Sequence, residues 1–218
     1  LVTGVQTCAL PISLTISAQT VDWTRANECP VGDEQFVAEL MEKMTIEEKV
    51  GQVIMGDLDF VSPSDLKNYP LGGILNGGNT SPRGKLRATP EEWKSLAQEF
   101  YEASTTRGGA NIPVLWGTDA VHGHSNVFGA TIFPHNVGLG ATNNPDLLEK
   151  IGAAVAEEVI ATGLYWTFAP TVTVPQDYRW GRTYEGYSES PELVSKLGKA
   201  FIIGMQRSEE HTSELQSP

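Results

Sequence analysis

Basic residues are scarce in this sequence. Its 218 residues include 15 Lys and Arg against 27 Asp and Glu, which gives a formal net charge of −12. Nucleic acids and anionic membranes repel such a surface, so neither is an expected partner. The sequence also lacks an apolar run of the roughly 20 residues that a membrane-spanning helix needs. Hydrophobic residues still make up 40% of the chain, which is enough for one globular domain with a core.

Cysteine is almost absent, with only Cys8 and Cys29. Cys8 lies in residues 1–13, which resemble a translated sequencing adapter, and residues 207–218 resemble the same adapter read from the other strand. The tail can begin with the codons AGATCGGAAGAG, whose reverse complement encodes the Leu-Pro-Ile of the head. We therefore predict that both ends are non-native and that the native part is an interrupted fragment. Cys29 would then have no partner, and no disulfide is expected.

Apolar runs between turn residues alternate with helical patterns along the chain. We predict strands at residues 71–76, 112–117 and 164–170, and helices at residues 32–44, 90–104, 145–162 and 191–205. Thr45 followed by Glu48 predicts a capping box at another helix start, and residues 50–56 after it fit a continued helix or a strand. This alternation predicts a parallel sheet covered by helices, as a barrel or a doubly wound fold.

The most informative stretch is residues 112–126, Ile-Pro-Val-Leu-Trp-Gly-Thr-Asp-Ala-Val-His-Gly-His-Ser-Asn. An apolar run ends in this stretch, and the carboxylate of Asp119 follows at once. Parallel α/β proteins hold ligands at the carboxyl ends of their strands, so Asp119 is a candidate ligand-binding residue. In many other proteins an Asp at this position only caps a following turn.

Other readings of the polar residues are weaker. His122, His124 and His135 do not have the spacing of a compact zinc site, so we predict neither a metal nor a cofactor. Residues 77–85 superficially resemble a phosphate-binding loop, but the spacing is too long and Leu86 stands where Ser or Thr is needed. We expect the tryptophans to serve packing rather than sugar stacking; they are Trp116, Trp166 and Trp180.

Five motifs occur in an order that resembles the amino-terminal domain of glycoside hydrolase family 3. They are Asp-Ala-Val-His-Gly from Asp119, Gly-Ala-Thr-Ile-Phe-Pro-His-Asn at 129–136, Gly-Leu-Gly-Ala-Thr at 138–142, Thr-Phe-Ala-Pro at 167–170 and Arg-Trp-Gly-Arg-Thr-Tyr-Glu-Gly-Tyr-Ser-Glu at 179–189. The resemblance covers residues 44–206, after a lead-in and first helix at 14–43. The first and last motifs resemble those of the exo-acting β-glucosidase and β-glucan glucohydrolase branch.

The resemblance implies a partial (β/α)8 TIM-type barrel, truncated after roughly its first half, from a retaining exo-β-glucosidase that acts on β-glucosides or β-glucans. It implies that Asp119 and Arg182 bind the sugar. It also implies that the nucleophile Asp and the acid/base Glu lie beyond this chain, so that no residue here is catalytic. The remainder of the barrel and a following domain would be its partners. We expect Glu185 to pair with Arg182, and His122 to shape the loop after Asp119 as a structural hydrogen-bonder; neither would touch the sugar.

The sequence departs from the family pattern in two places. Gln176-Asp-Tyr178 stands where the family usually has Asp-Pro, and Ser190 replaces an Asp, although Ser is still a competent helix cap. A non-catalytic carbohydrate-binding barrel and a family member acting on β-xylosides or N-acetylglucosaminides remain alternatives. The resemblance suggests a periplasmic or secreted enzyme.

Overall fold

The computed structural model describes residues 34–78 and 80–214. Its helices are α1 Glu34–Lys43, α2 Ile46–Gln52, α3 Pro90–Thr105, α4 Asn136–Thr142, α5 Pro145–Ala161 and α6 Pro191–Glu214. Its strands are β1 Met55–Asp57, β2 Gly73–Asn76, β3 Leu115–Thr118 and β4 Trp166–Thr167. Short 3-10 helices lie at Asp65–Lys67, Pro82–Gly84 and Thr183–Glu185. Cys8, Cys29, the head at 1–13 and the lead-in up to residue 33 lie outside the described residues.

The four strands form one parallel sheet in the order β1-β2-β3-β4. Ile74 at its centre is paired with Gly56 on one side and Trp116 on the other. Strand β4 adds only two residues, with Thr167 beside Thr118 at the end of β3. Because neighbours in sequence are neighbours in the sheet and helices connect β2 to β3 and β3 to β4, the described residues form part of a (β/α)8-type barrel, as predicted.

The predicted helix starts are confirmed by their hydrogen bonds. Thr45 and Glu48 form a capping box at α2, and Thr89 forms another at α3 with Glu92. The Asn144 side chain accepts a hydrogen bond from the backbone N–H of Leu147 at the start of α5. These caps satisfy N–H groups that the first helical turn leaves without an acceptor.

Three elements differ most from the prediction. Strand β3 begins at Leu115 rather than Ile112, because Pro113 has no N–H to give to a ladder, and β4 is shorter than the apolar run 164–170. Helix α6 continues from the predicted end at Met205 to Glu214. Residues 206–214 contain neither Pro nor Gly, so the backbone carries no signal that would end the helix there. The adapter origin of residues 207–218 concerns the gene and stays a prediction.

The core lies between the sheet and helices α3, α5 and α6. Trp93 and Phe100 of α3 are buried against Trp116 of β3, with ring centroids 6.1 and 5.3 Å from that of Trp116. Leu148, Val155 and Leu197 are fully or almost fully buried where α5 and α6 pack together. Burial of such side chains stabilises the fold by roughly 1.5–3 kcal/mol each. This packing holds the carboxyl ends of β2, β3 and β4 side by side.

Among the described residues, no helix is both long and apolar enough to cross a membrane.

Candidate functional site

Asp119 is the first residue after β3, at the carboxyl edge of the sheet. The strand end before it is fixed by buried polar contacts. Asn76, at the end of β2, donates through its side-chain amide to the Thr118 hydroxyl over 3.0 Å, and its side-chain carbonyl accepts from the Trp116 indole over 2.8 Å. The N–H of Ala120 donates to the Thr167 hydroxyl on β4 over 3.3 Å. Asp119 itself is half-buried, so it starts from a rigid, well-supported strand end.

Arg182 lies in the long loop that follows β4, and its side chain is 64% exposed. Two of its nitrogens bond to the two carboxylate oxygens of Glu185, Nε to Oε1 over 2.8 Å and an Nη to Oε2 over 2.6 Å. The predicted pair between these residues is therefore present, in the bidentate form that fixes the plane of a guanidinium. Whether this pair serves sugar binding stays a prediction.

The structure brings Asp119, Arg182 and Glu185 into one electrostatic cluster. Burial raises the pKa of the Asp119 carboxyl, the Arg182 charge lowers it in part, and the Glu185 charge raises it further. The hydrogen bond from Arg182 lowers the pKa of Glu185. Asp119 and Arg182 are 63 positions apart (182 − 119 = 63), in loops after different strands, and still interact, as expected if the carboxyl ends of β3 and β4 meet at one edge.

His122 and His135 lie beside this cluster. Their rings are edge to face with centroids 4.0 Å apart, and His135 meets Tyr184 in the same way at 4.7 Å. Burial lowers the pKa of His122, with a further lowering from His135. We expected His122 to act as a structural hydrogen-bonder. In the structure its backbone carbonyl accepts from the Phe133 N–H, whereas its side-chain Nδ1 is buried without a hydrogen-bond partner among the described residues.

The side chain of His124 has a different structural role from that of His122, although the two residues are close in sequence. It is fully buried, and its Nε2 lies 3.0 Å from the hydroxyl of Thr162 at the end of α5. Burial lowers the pKa of His124 to about 4, so the ring is neutral near pH 7. His124 therefore anchors the loop after β3 to the core.

The tryptophans and the acidic residues of α5 differ in burial. Trp116 is buried, as expected for packing. Trp180 is 41% exposed in the loop after β4, and its use in packing rather than in sugar stacking stays a prediction. Trp166 is half-buried, with its ring 5.0 Å from that of Phe168. Glu157 is exposed on α5, while Glu158 accepts a hydrogen bond from the Thr131 N–H.

Two asparagines were not singled out from the sequence as residues that organise the site. Asn76 ends β2 in a buried position, and Asn136 is buried at the start of α4, where its side-chain amide donates to the Glu185 carbonyl over 2.8 Å. Asn76 could have been found, because it ends a predicted strand beside glycines. Asn136 gives no such signal, since its partner is 49 residues away.

A half-buried carboxylate and an exposed, fixed guanidinium at the carboxyl edge of a parallel sheet can together bind a polyhydroxylated ligand. The carboxylate accepts hydrogen bonds from hydroxyl groups, and the guanidinium donates in a fixed fork. Among the residues that the structure describes, no group of three or more His, Cys, Asp or Glu side chains could hold a metal ion. The fold and this edge define a protein of the parallel α/β barrel type, with its candidate ligand site at the carboxyl ends of the strands.

Residues 45–214 match the model of the glycosyl hydrolase family 3 N terminal domain. The chain belongs to this family. The resemblance seen in the motifs is thereby confirmed, and the family assignment agrees with the partial barrel in the structure.

Relatives and solved structures agree with the family assignment. An exo-1,3/1,4-β-glucanase from a Pseudoalteromonas species is 50% identical, with a TM-score of 0.74 over 78% of this chain and 22% of that chain. A lysosomal β-glucosidase of Dictyostelium discoideum is 31% identical over 79% of this chain and 23% of its own length. A periplasmic β-glucosidase of Salmonella typhimurium is 31% identical over 81% of this chain and 21% of its own. The chain thus spans about a fifth of the length of these three proteins.

Proposed function

We propose that this chain forms part of a retaining, exo-acting β-glucosidase that releases glucose from the non-reducing ends of β-glucosides or β-glucans. In this proposal the chain supplies one side of the glucose-binding pocket. The observation that carries the proposal is the placement of Asp119 directly after β3 and of the Arg182–Glu185 pair in the loop after β4, at the carboxyl edge of a family 3 barrel. The Arg182 charge lowers the pKa of Asp119, in agreement with this placement. The three relatives above, named for β-glucosidase or exo-β-glucanase activity, support the substrate class.

Asp119 and Arg182 would bind different hydroxyl groups of the terminal glucose. The Asp119 carboxylate can accept hydrogen bonds from two neighbouring hydroxyls, because it has two oxygens and about four lone-pair sites. Its half-buried position strengthens those bonds relative to water. The Arg182 guanidinium, already turned by Glu185, can donate from its remaining N–H groups to another hydroxyl.

The reaction itself needs two further carboxyl groups about 5 Å apart. In a retaining glycosidase one attacks the anomeric carbon and the other protonates the leaving oxygen, then activates water for the second step. Asp119 is not assigned either role, because it lies beside Arg182 and Glu185 in a binding cluster. We propose that the nucleophile and the acid/base come from parts of the enzyme outside residues 34–214.

Binding by the 218-residue chain gives the direct test. Methyl β-D-glucopyranoside should perturb the NMR signals of the loops after β3 and β4, and Asp119→Ala should abolish the perturbation. Arg179→Lys is the matched control, since Arg179 bonds to Asp177 in the same loop as Arg182. Perturbation that survives in Asp119→Ala, or appears nowhere near these loops, would reject the assignment.

Turnover can be tested in a chimaera with the Pseudoalteromonas exo-β-glucanase. Residues 45–206 of this chain would replace the aligned segment of that enzyme, with which it shares 50% identity. Because the exo-β-glucanase supplies the nucleophile and the acid/base, hydrolysis of p-nitrophenyl β-glucoside by the chimaera supports a pocket in which this chain holds the sugar for reaction. A folded chimaera that binds the glucoside but does not turn it over would favour the alternative of a non-catalytic carbohydrate-binding barrel, because this chain would then hold the sugar out of reach of those two groups.

The sugar specificity can be read in the same assays. A β-xyloside lacks the C6 hydroxymethyl group, and an N-acetylglucosaminide carries an acetamido group at C2, so each changes the hydroxyls that Asp119 and Arg182 would meet. We propose tightest binding of the glucoside. We also propose a periplasmic or secreted location, which fractionation of the source organism would check.

A further inference from the structure

A short segment connects the two loops that carry the cluster. Residues 133–136, Phe-Pro-His-Asn, form the end of the loop after β3 and the first residue of α4. They contact both the start of that loop and the loop after β4, and we refer to them as the strap. At one end the Phe133 N–H donates to the His122 carbonyl over 2.8 Å. At the other end the buried Asn136 amide donates to the Glu185 carbonyl over 2.8 Å. The strap therefore bonds both to the partner of Arg182 and to a residue three positions after Asp119.

Aromatic contacts of the exposed His135 ring link the same two loops. His135 is edge to face with His122 at 4.0 Å and with Tyr184 at 4.7 Å. Tyr184 directly precedes Glu185, the partner of Arg182. Edge-to-face pairs of this kind contribute beyond their buried area. His135 thus lies between one ring from each of the two loops.

The backbone beyond the strap fits closely against the same region. A Cβ at Gly140 of α4 would lie 1.7 Å from the carbonyl oxygen of Tyr187, a distance no side chain can occupy. Residues after the strap are therefore packed against the chain that follows Arg182, and the contact is not limited to one hydrogen bond.

The loop after β4 has few polar contacts with the rest of the molecule. Among the described residues, the hydrogen bonds of residues 176–189 stay within that segment or reach the adjoining Ser190, with Asn136 as the exception. The ion pairs Asp177–Arg179 and Arg182–Glu185 also lie inside the segment. Internal bonds give the loop its shape, and the buried ring of Tyr187 anchors its end in the core. The bond from Asn136 is its polar link towards the loop of Asp119 among the described residues.

We propose that the strap sets the distance and orientation between Asp119 and Arg182, with His135 and Asn136 as positioning residues for the sugar site. The carboxylate of Glu185 holds the Arg182 fork, the strap holds the backbone of Glu185, and the His122 carbonyl ties the strap to the loop of Asp119. Neither His135 nor Asn136 contacts the sugar in this arrangement. The sugar-binding part of this inference rests on the proposed function; the positioning of Arg182 does not.

The test uses the 218-residue chain and two readouts. The first is the Arg182 Nε–Hε signal in a nitrogen-proton NMR spectrum, assigned by its loss in Arg182→Lys, which reports the bond to Glu185. The second is the Kd for methyl β-D-glucopyranoside. His135→Ala and Asn136→Ala should shift the Arg182 signal, because the surroundings of the Arg182–Glu185 pair change. They should also weaken binding about two- to tenfold, because the loop that carries the guanidinium would then be ordered relative to Asp119 only on binding.

Two variants separate positioning from general stability. His135→Phe keeps a ring between His122 and Tyr184 and should restore both readouts. Val137→Ala, on the exposed neighbour of the strap, should leave both unchanged. His135 is exposed, so its variants retain the buried contacts of Asn136. If Asn136→Ala does not melt cooperatively, the His135 variants alone test whether the strap positions Arg182.

An unchanged Arg182 signal in folded His135→Ala and Asn136→Ala would overturn the proposal, as would an equal effect of Val137→Ala. Failure of His135→Phe to restore the signal would overturn the part assigned to the His135 ring. Should the wild-type chain bind no glucoside while the Arg182 signal still shifts, the proposed function fails and the positioning of Arg182 by the strap stands.

Discussion

The loops that follow β3 and β4 carry the two halves of the candidate site, but they hold their charged groups in different ways. Asp119 comes directly after β3. Its neighbours Thr118, Ala120 and His124 hydrogen-bond to β2, to β4 and to the residue after α5. Arg182 comes 15 residues after Thr167, the end of β4 (182 − 167 = 15). Its side chain is 64% exposed, and the strap supplies the hydrogen bond that ties its loop to the β3 side of the site.

This difference shows two ways of placing a functional group. A residue at a strand end inherits its position from the sheet, which is fixed by many backbone hydrogen bonds and by core packing. A residue deep in a loop needs side-chain contacts of its own to reach the same accuracy. Sugar binding by Asp119 should therefore depend mainly on its own carboxylate. Sugar binding by Arg182 should depend also on the residues that position its loop.

Removal of the Asp119 carboxylate should have the largest effect. In the chimaeric enzyme, Asp119→Ala should lower kcat/KM for p-nitrophenyl β-glucoside by about 100-fold or more, because two charge-assisted hydrogen bonds are lost from a half-buried place. The melting temperature should change little. Activity within about threefold of wild type would show that Asp119 does not bind the sugar. The contrast between a strand-end residue and a loop residue would then not apply to the site.

Acid should destabilise the anchor of the loop after β3 through His124. Burial lowers the pKa of His124 to about 4 from its ordinary 6.5, so between these values the unfolded chain binds a proton that the folded chain does not. Stability is therefore fully present above pH 6.5 and is lost as the pH falls from 6.5 towards 4, by on the order of 3 kcal/mol.

Chemical denaturation across that pH range measures the His124 effect. His124→Gln should lose the part of the pH dependence that belongs to the imidazole, so the difference between wild type and variant is the readout. Parallel curves for the two proteins between pH 6.5 and 4 would show that His124 is not buried as a neutral ring.

Replacement of Arg182 should have a moderate effect. Arg182→Lys keeps the charge but loses the fork that bonds to both oxygens of Glu185, so glucoside binding should weaken about tenfold, mostly in Kd or KM. Arg179→Lys, three residues earlier in the same loop, should change binding by less than about twofold. An equal loss of glucoside binding in both variants would mean that any Arg-to-Lys change in this loop weakens binding and that Arg182 does not bind the sugar specifically.

The smallest effect should come from the surface ion pair of the loop after β4. Asp177→Asn removes the charge that pairs with Arg179, whose side chain is 91% exposed. Exposed pairs of this kind contribute little, so the melting temperature should stay within about 2 °C of wild type. A larger fall would show that internal ion pairs, rather than the strap alone, hold this loop in place.

Much of the fold could be predicted from local sequence. The capping boxes at Thr45 and Thr89 place helix starts because their hydrogen bonds span only three residues. Asp119 could be placed at a strand end because an apolar run stops just before it. The end of α6 was predicted wrongly, since the chain has no stop signal after Met205.

The site is less predictable than the fold because its contacts span long stretches of chain. The bond from Asn136 to Glu185 joins residues 49 apart, and the bond from His124 to Thr162 joins residues 38 apart. Neither leaves a periodic pattern or a cap in the sequence. The motif that includes His135 and Asn136 contributes to the family resemblance, but its connection to Arg182 became visible only when the chain was folded.

The sequence by itself determined the parallel α/β class and the presence of Asp119 at a strand end, because local hydrogen bonding and hydrophobic order fix both. Its motifs identified the family by resemblance. Only the tertiary structure decided which polar groups from distant parts of the chain meet. Chain packing brought the local Arg182–Glu185 pair towards Asp119, buried His124 while leaving His135 exposed, and joined the strap to Glu185. Such contacts depend on the free energy of the whole packed core, which no short stretch of residues contains.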